Sequence, residues 1–301
     1  MNDHVRFSLA FHGGTADEHV VDLYDVSQAL IGFQRSLALT VHLVLNGAII
    51  TQSPSLKGAK IYALPPEPGS WSIRSLVVLG SVTTGLYHLG SLQNNSPLGH
   101  LVFSLYDYVI SESVGVHVDF NKSIGKLYEQ AQRTNPKLKP VTETQADSLI
   151  EKCDTAIREM HRPISMSKTA ESATITCALG SKEEPLHSSL TLDTYDFVHE
   201  TRQADVPEVV EGRISSYNAN TFKGRVYVPK FGRPISFELS PKARNQRAVR
   251  LITSSLHLNA TGQRSSPGSV LYVTVLQNTS KTGHLKRLTV LHVGSELPGD
   301  A

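Results

Sequence analysis

Residues 209–239 read VVEGRISSYNANTFKGRVYVPKFGRPISFEL, and this stretch decides the fold of the C-terminal part of the chain. Runs rich in Val, Ile, Tyr and Phe alternate with Gly212, Asn218, Asn220, Gly224 and Gly232. Such punctuation belongs to short antiparallel strands joined by turns that need positive φ, which glycine and asparagine adopt at low cost. Downstream, Ser240-Pro241 predicts a helix running to residue 254, with Ser240 as its cap and Pro241 at its first position. That helix holds Lys242, Arg244, Arg247 and Arg250. Further strands are expected at residues 255–260, 270–277 and 285–293, with turns at Gly262, Gly268 and Gly283. Roughly six strands and one helix in about 90 residues fit a small closed or nearly closed barrel of OB or SH3-like size.

Working outward, the preceding part reads as α+β, a helix on a small sheet followed by a helical middle region. Val5, Phe7, Leu9 and Phe11 alternate with polar or small residues, as in a half-buried strand. Asp22 then caps a long helix that Gly47 stops. Leu23, Val26, Leu30, Phe33, Leu37, Val41 and Val44 recur on one face, expected to pack on the domain's own sheet, though the same spacing could serve a dimer seam. Strands follow at residues 60–64 and 71–78, around a proline-rich turn at 65–70. The apolar window 76–92 is shorter and more polar than a spanning helix and reads as a small-residue helix buried in the protein or an oligomer interface. Helices are expected at 98–113 and 122–133, and at Thr142, whose spacing to Gln145 is that of a capping box. Residues 173–179 and 188–192 suggest a hairpin around the charged turn 181–185.

A chain of 301 residues supports two domains of roughly 150 residues each, here 1–205 and 206–301. From Val206 onward there are 13 Lys+Arg against 5 Asp+Glu, a net of +8, which leaves 16 against 22, or −6, for the remainder. Such asymmetry suggests a polyanionic partner for the basic part, or attraction between the two domains. Two cysteines, Cys153 and Cys177, supply no disulfide framework and fit a reducing compartment as buried thiols. No secretory signal is legible at the N-terminus, so a cytoplasmic location is expected, away from the membrane.

No phosphate loop, nucleophile elbow, His-Glu-x-x-His or paired Cys-x-x-Cys occurs in the chain. No catalytic residue, metal or cofactor is therefore assigned. The candidates for an acid/base or anion site are His12, Asp17 and His19 beside Gly13-Gly14, with a polar turn and helix-cap acids as the plainer reading. His187, Asp193 and His199 match no familiar metal spacing. The candidate nucleic-acid site is in the basic part. There Tyr217, Phe222, Tyr227 and Phe231 interleave with Arg213, Lys223, Arg225, Lys230 and Arg233, aromatic faces for bases and cations for phosphates. Strand alternation sends about half of these aromatics inward.

Two resemblances add to this. SSYNANTFKGRVYV at 215–228 resembles the Asn-rich first turn and Lys-Gly-Arg second strand of small nucleic-acid-binding barrels such as cold-shock domains, without their aromatic ribonucleoprotein motifs. FHGGTADEHVVDLYDVSQAL at 11–30, with LPPEPGSW at 64–71, is similar to uncharacterised bacterial proteins, which implies a bacterial origin. The expectation is a non-enzymatic, oligomerising platform carrying a basic barrel. A structural subunit of a bacterial complex and an enzyme or ligand sensor are the alternatives.

Overall fold

The computed structural model describes residues 3–65, 71–79, 96–136, 138–180 and 182–297. The chain divides into two compact units, Met1–His199 and Glu200–Ala301.

The first unit is built around β1 (Asp3–His12). Val5, Phe7, Leu9 and Phe11 are fully buried while the residues between them stay partly exposed, as a two-residue period requires. β1 pairs antiparallel with β3 (Ser72–Leu79) and β4 (Ser172–Leu179); β2 (Ala59–Leu64) lies beyond β3. β5 (Lys182–Pro185) and β6 (Leu190–Thr191) both pair with β4.

α1 (Leu23–Asn46) begins and ends where the sequence predicts. Asp22 accepts from the Asp25 N–H, and Gly47 closes the helix at φ 62°. It touches β2, but its main partner is α4 (Glu143–Met160) rather than the sheet. Gly32 makes that approach close: a Cβ there would lie 2.3 Å from the Ala156 carbonyl oxygen. α4 starts with the expected capping box of Thr142 and Gln145. α2 (Pro97–Ser113) lies against β1 and β4, with the Phe7 and Tyr106 rings edge to face at 5.3 Å. Ser36 Oγ lies 2.9 Å from the Tyr106 hydroxyl and ties α1 to α2. α3 (Lys126–Thr134) follows a π-helical turn at Asn121–Gly125, so the helix expected from 122 changes pitch within its length. α5 (Arg162–Ser165) and α6 (Leu192–His199) complete the unit.

Two further expectations for this unit need correction. The strand expected at 71–78 forms as β3, and its buried end, 76–79, takes the start of the window also read as a helix; a run of four apolar residues has no period by which to tell the two apart. The proline-rich turn at 66–70 and residues 80–92 lie outside the described residues. The charged segment expected as a turn is mostly strand β5, because Gly180, at φ 66°, reverses the chain at once. Its four residues are all exposed, and Lys, Glu and Pro are what an outermost strand tolerates.

The second unit is a closed five-stranded barrel of β8 (Glu208–Asn218), β9 (Lys223–Val228), β10 (Arg233–Leu239), β11 (Leu271–Thr279) and β12 (Leu285–Gly294). The order is β12-β10-β9-β8-β11, and a β11–β12 pairing closes it. β10 and β12 run parallel and the other pairs antiparallel. A short β7 (Arg202–Gln203) pairs with β11. Val226, Val228, Ile235, Phe237, Val273, Val275 and Val290 belong to the barrel's buried core.

α7 (Gln246–Ala260) connects β10 to β11 and corrects two further expectations. Pro241–Ala243 forms only a 3-10 turn, and Asn245, not Ser240, caps the helix by accepting from the Ala248 N–H. The helix continues through the strand expected at 255–260 because β8 needs it there. Beyond Gly212, β8 loses β11 as a neighbour. The exposed edge of Ile214 is taken up by α7: its N–H donates to Ser255 Oγ at 3.1 Å, and its carbonyl accepts from Asn259 Nδ2 at 3.0 Å. An unpaired strand edge inside a core would leave buried backbone groups unsatisfied.

Candidate nucleic-acid interface

Strand alternation sets what β9 can offer. Gly224, Val226 and Val228 form the inner row, with the core valines in it, while Lys223, Arg225 and Tyr227 form the outer row. Arg213 of β8 is opposite Tyr227, and its guanidinium lies 5.6 Å above that ring. These four residues are brought to one face. Arg225, however, is only 2% exposed, between Ser216 and Ser236 in the register, so it is not a surface cation.

The other candidates are placed elsewhere. A bulge between Ile214 and Ser216 shifts the register by one residue and brings Tyr217 opposite Gly224. Its ring then stacks on the core residue Phe237, with centroids 6.3 Å apart and planes 10° from parallel. Burial raises the Tyr217 pKa, against the opposing charge of Arg244. Phe222 sits in the β8–β9 turn at φ 57°, packed on the core and covered by Arg244 at 5.1 Å. Lys230, in the β9–β10 turn, lies 3.7 Å from Glu208, and Arg233 donates to the Leu285 carbonyl. A platform combining Phe222, Arg225 and Tyr227 is thus not formed; Tyr227 is the outward aromatic of the set.

In the first unit, His12 Nε2 lies 2.8 Å from Thr174 Oγ1, Asp17 accepts from the Gly13 N–H, and His19 ends a 3-10 turn at φ 64°. Each has a structural use. His187, Asp193 and His199 are not gathered: His199 lies over Tyr195 at 3.9 Å, while His187 Nδ1 makes a short contact with buried Asp107. Asp107 also accepts from the His187 N–H at 2.7 Å, fastening the loop after β5 to α2. Nothing local in the sequence marks this pair, 80 positions apart. Among the described residues no three His, Cys, Asp or Glu side chains are grouped to hold a metal. Both cysteines are buried free thiols, and desolvation pushes the Cys153 pKa up to about 12.

Four cations outside the candidate set are exposed and close in sequence: Lys242 in the 3-10 turn, Arg244 just after it, and Arg247 and Arg250 in the first part of α7. Arg244 is held in place by its Nε–H donated to the Leu239 carbonyl at 3.0 Å and by Phe222. Their legible signal was the absence of acid around them.

The model of a domain of unknown function, DUF7946, matches residues 7–199. The chain belongs to the DUF7946 family. Residues 207–293 match a second family of unknown function, DUF7947, which spans the barrel strands β8 to β11 and most of β12. No curated protein and no solved structure matches the chain. The DUF7946 match thus ends with α6, and the DUF7947 match begins one residue before β8.

Proposed function

We propose that the protein is a non-enzymatic, cytoplasmic binding protein whose basic barrel holds a polyanion, nucleic acid in the first place, on an acidic platform that self-associates or meets a partner. The observation that carries this reading is the strand order. With β8 to β12 counted as first to fifth, the neighbours run 5-3-2-1-4-5, the third and fifth strands are parallel, and a helix joins the third to the fourth. This order supports an OB-type reading of the barrel, an architecture that offers the face of its second and third strands to oligonucleotides and oligosaccharides. The net +8 of residues 206–301 favours phosphates over neutral sugars. For the platform, support comes from Leu23, Tyr24 and Ile31 of α1, which are 79%, 63% and 59% exposed.

The test is fluorescence anisotropy of the full chain against labelled single- and double-stranded oligonucleotides over a range of salt. Binding whose log affinity falls linearly with log salt is expected. No binding to either form at low salt would remove nucleic acid as the ligand.

A further inference from the structure

From Leu239 to Ser295 the chain contains eight Lys or Arg and no Asp or Glu. Half of those cations fall between Lys242 and Arg250, and all four of these are exposed. Elsewhere in the unit, carboxylates sit near cations: Glu200 by Arg202 and Lys281, Glu208 by Lys230, and Glu238 by Arg287. Among the described residues, no carboxylate lies within 4 Å of Lys242, Arg244, Arg247 or Arg250.

Their placement works against the helix. Arg247 stands in the first turn of α7, which carries no acidic residue, and a cation there opposes the macrodipole. The helix gains no capping from these side chains, because Asn245 already accepts from the Ala248 N–H. Arg247 in the first turn is thus costly to the fold, and an external polyanion at these cations would offset that cost.

We propose that Lys242, Arg244, Arg247 and Arg250 form the main phosphate contact of the barrel, and that the ligand is a nucleic-acid duplex held by its backbone without readout of bases. This rests on the reading of the barrel as a nucleic-acid binder and moves the contact from the β9 face to the edge formed by the 3-10 turn and α7. The β9 face is poorly equipped for phosphates and bases: Arg225 is buried, and Arg213 covers Tyr227. A single strand bound without aromatic stacking loses the contribution that offsets its ordering. A duplex is already ordered.

The experiment uses the full chain, a labelled duplex of mixed sequence and a single strand of the same length. Four phosphate contacts predict a slope of log affinity on log salt of about −3.6 for the duplex. The double variant R247E/R250E should bring the slope to about −1.8 or shallower and weaken binding more than tenfold at low salt, whereas R247K/R250K should keep the wild-type slope. R247E alone should raise the midpoint of thermal unfolding of the second unit, because a carboxylate suits that end of the helix. Lost affinity with raised stability separates a contact from a folding defect. An unchanged slope in R247E/R250E overturns the proposed location while the barrel reading stands. Tighter binding of the single strand overturns the duplex. Wild-type protein that binds neither form, or binds only heparin or anionic vesicles, overturns both.

Discussion

Ser255 offers a direct test of why α7 is where it is. Its side chain is fully buried, accepts the Ile214 N–H at 3.1 Å and donates to the Ser269 carbonyl at 2.6 Å. Ser255→Ala removes one atom and leaves two buried backbone groups without that partner. Each orphaned group costs about 1–3 kcal/mol, and the better helix propensity of alanine returns up to about 0.5 kcal/mol. A net loss of about 1.5–6 kcal/mol follows. For a domain of this size each kcal/mol moves the midpoint by about 4 °C or more, so the barrel transition should fall by at least about 6 °C. Differential scanning calorimetry of the full chain reads this, with exposed Ser254→Ala as a control expected within about 0.5 kcal/mol of wild type. Native-state hydrogen exchange should also show the Ile214 amide opening faster. If Ser255→Ala matches Ser254→Ala in both measurements, the edge of β8 finds its partners without α7, and the explanation of the helix's position fails.

Gly32→Ala should destabilise the first unit by about 1–3 kcal/mol, against the usual gain of about 1 kcal/mol for this change within a helix, since the new Cβ would meet the Ala156 carbonyl 2.3 Å away; denaturant unfolding reads the sign, and a gain would mean that α1 and α4 part freely. Burial lowers the His161 pKa to about 4, while Ile157 and Thr194 take its two ring nitrogens. Below about pH 6.5 the unfolded chain therefore binds a proton that the folded one refuses, so stability is full above 6.5 and declines toward pH 4 by on the order of 3 kcal/mol. His42, also lowered by burial and by Lys57, acts in the same direction; a midpoint flat from pH 7 to about 4.5 would refute this. If the exposed face of α1 mediates self-association, Leu23→Asp with Ile31→Asp should shift the protein to monomer in sedimentation velocity at unchanged midpoint, whereas an unchanged oligomer would exclude that face.

What the sequence made legible was short in range. Asp22 and Gly47 bound α1, and Thr142 with Gln145 opens α4, because caps act over three or four residues. In residues 209–239 Asn218 ends β8 and Gly232 turns the chain into β10 as expected, but Gly212 and Gly224 lie inside β8 and β9, where a Cβ would meet the carbonyls of Tyr227 and Ser216 across the ladder. The errors came where a distant partner decides. Residues 255–260 have the composition of a strand, but the free edge of β8 requires a helix carrying Ser255 and Asn259. The apolar end of β3 has no period, and its pairing with both β1 and β2 makes it a strand.

The candidate site was misread for the same reason, and in a way that alters the chemistry. Arg213, Ser215 and Tyr217 share one face if alternation is strict, which would place an aromatic beside two cations. The bulge between Ile214 and Ser216 inverts the faces after it, sending Tyr217 onto Phe237 in the core and Ser216 to the outer row beside Arg225. One extra residue thus removes an aromatic from the outer face, and an aromatic platform is what would have favoured single strands. The remaining cations are distributed unequally between faces that carry carboxylates and a helix edge that carries none. Charge without stacking selects for phosphate density rather than for base identity. The barrel's strand order therefore supplies the scaffold, while α7, needed first to close β8, is also the element on which a duplex backbone would find its counter-charge.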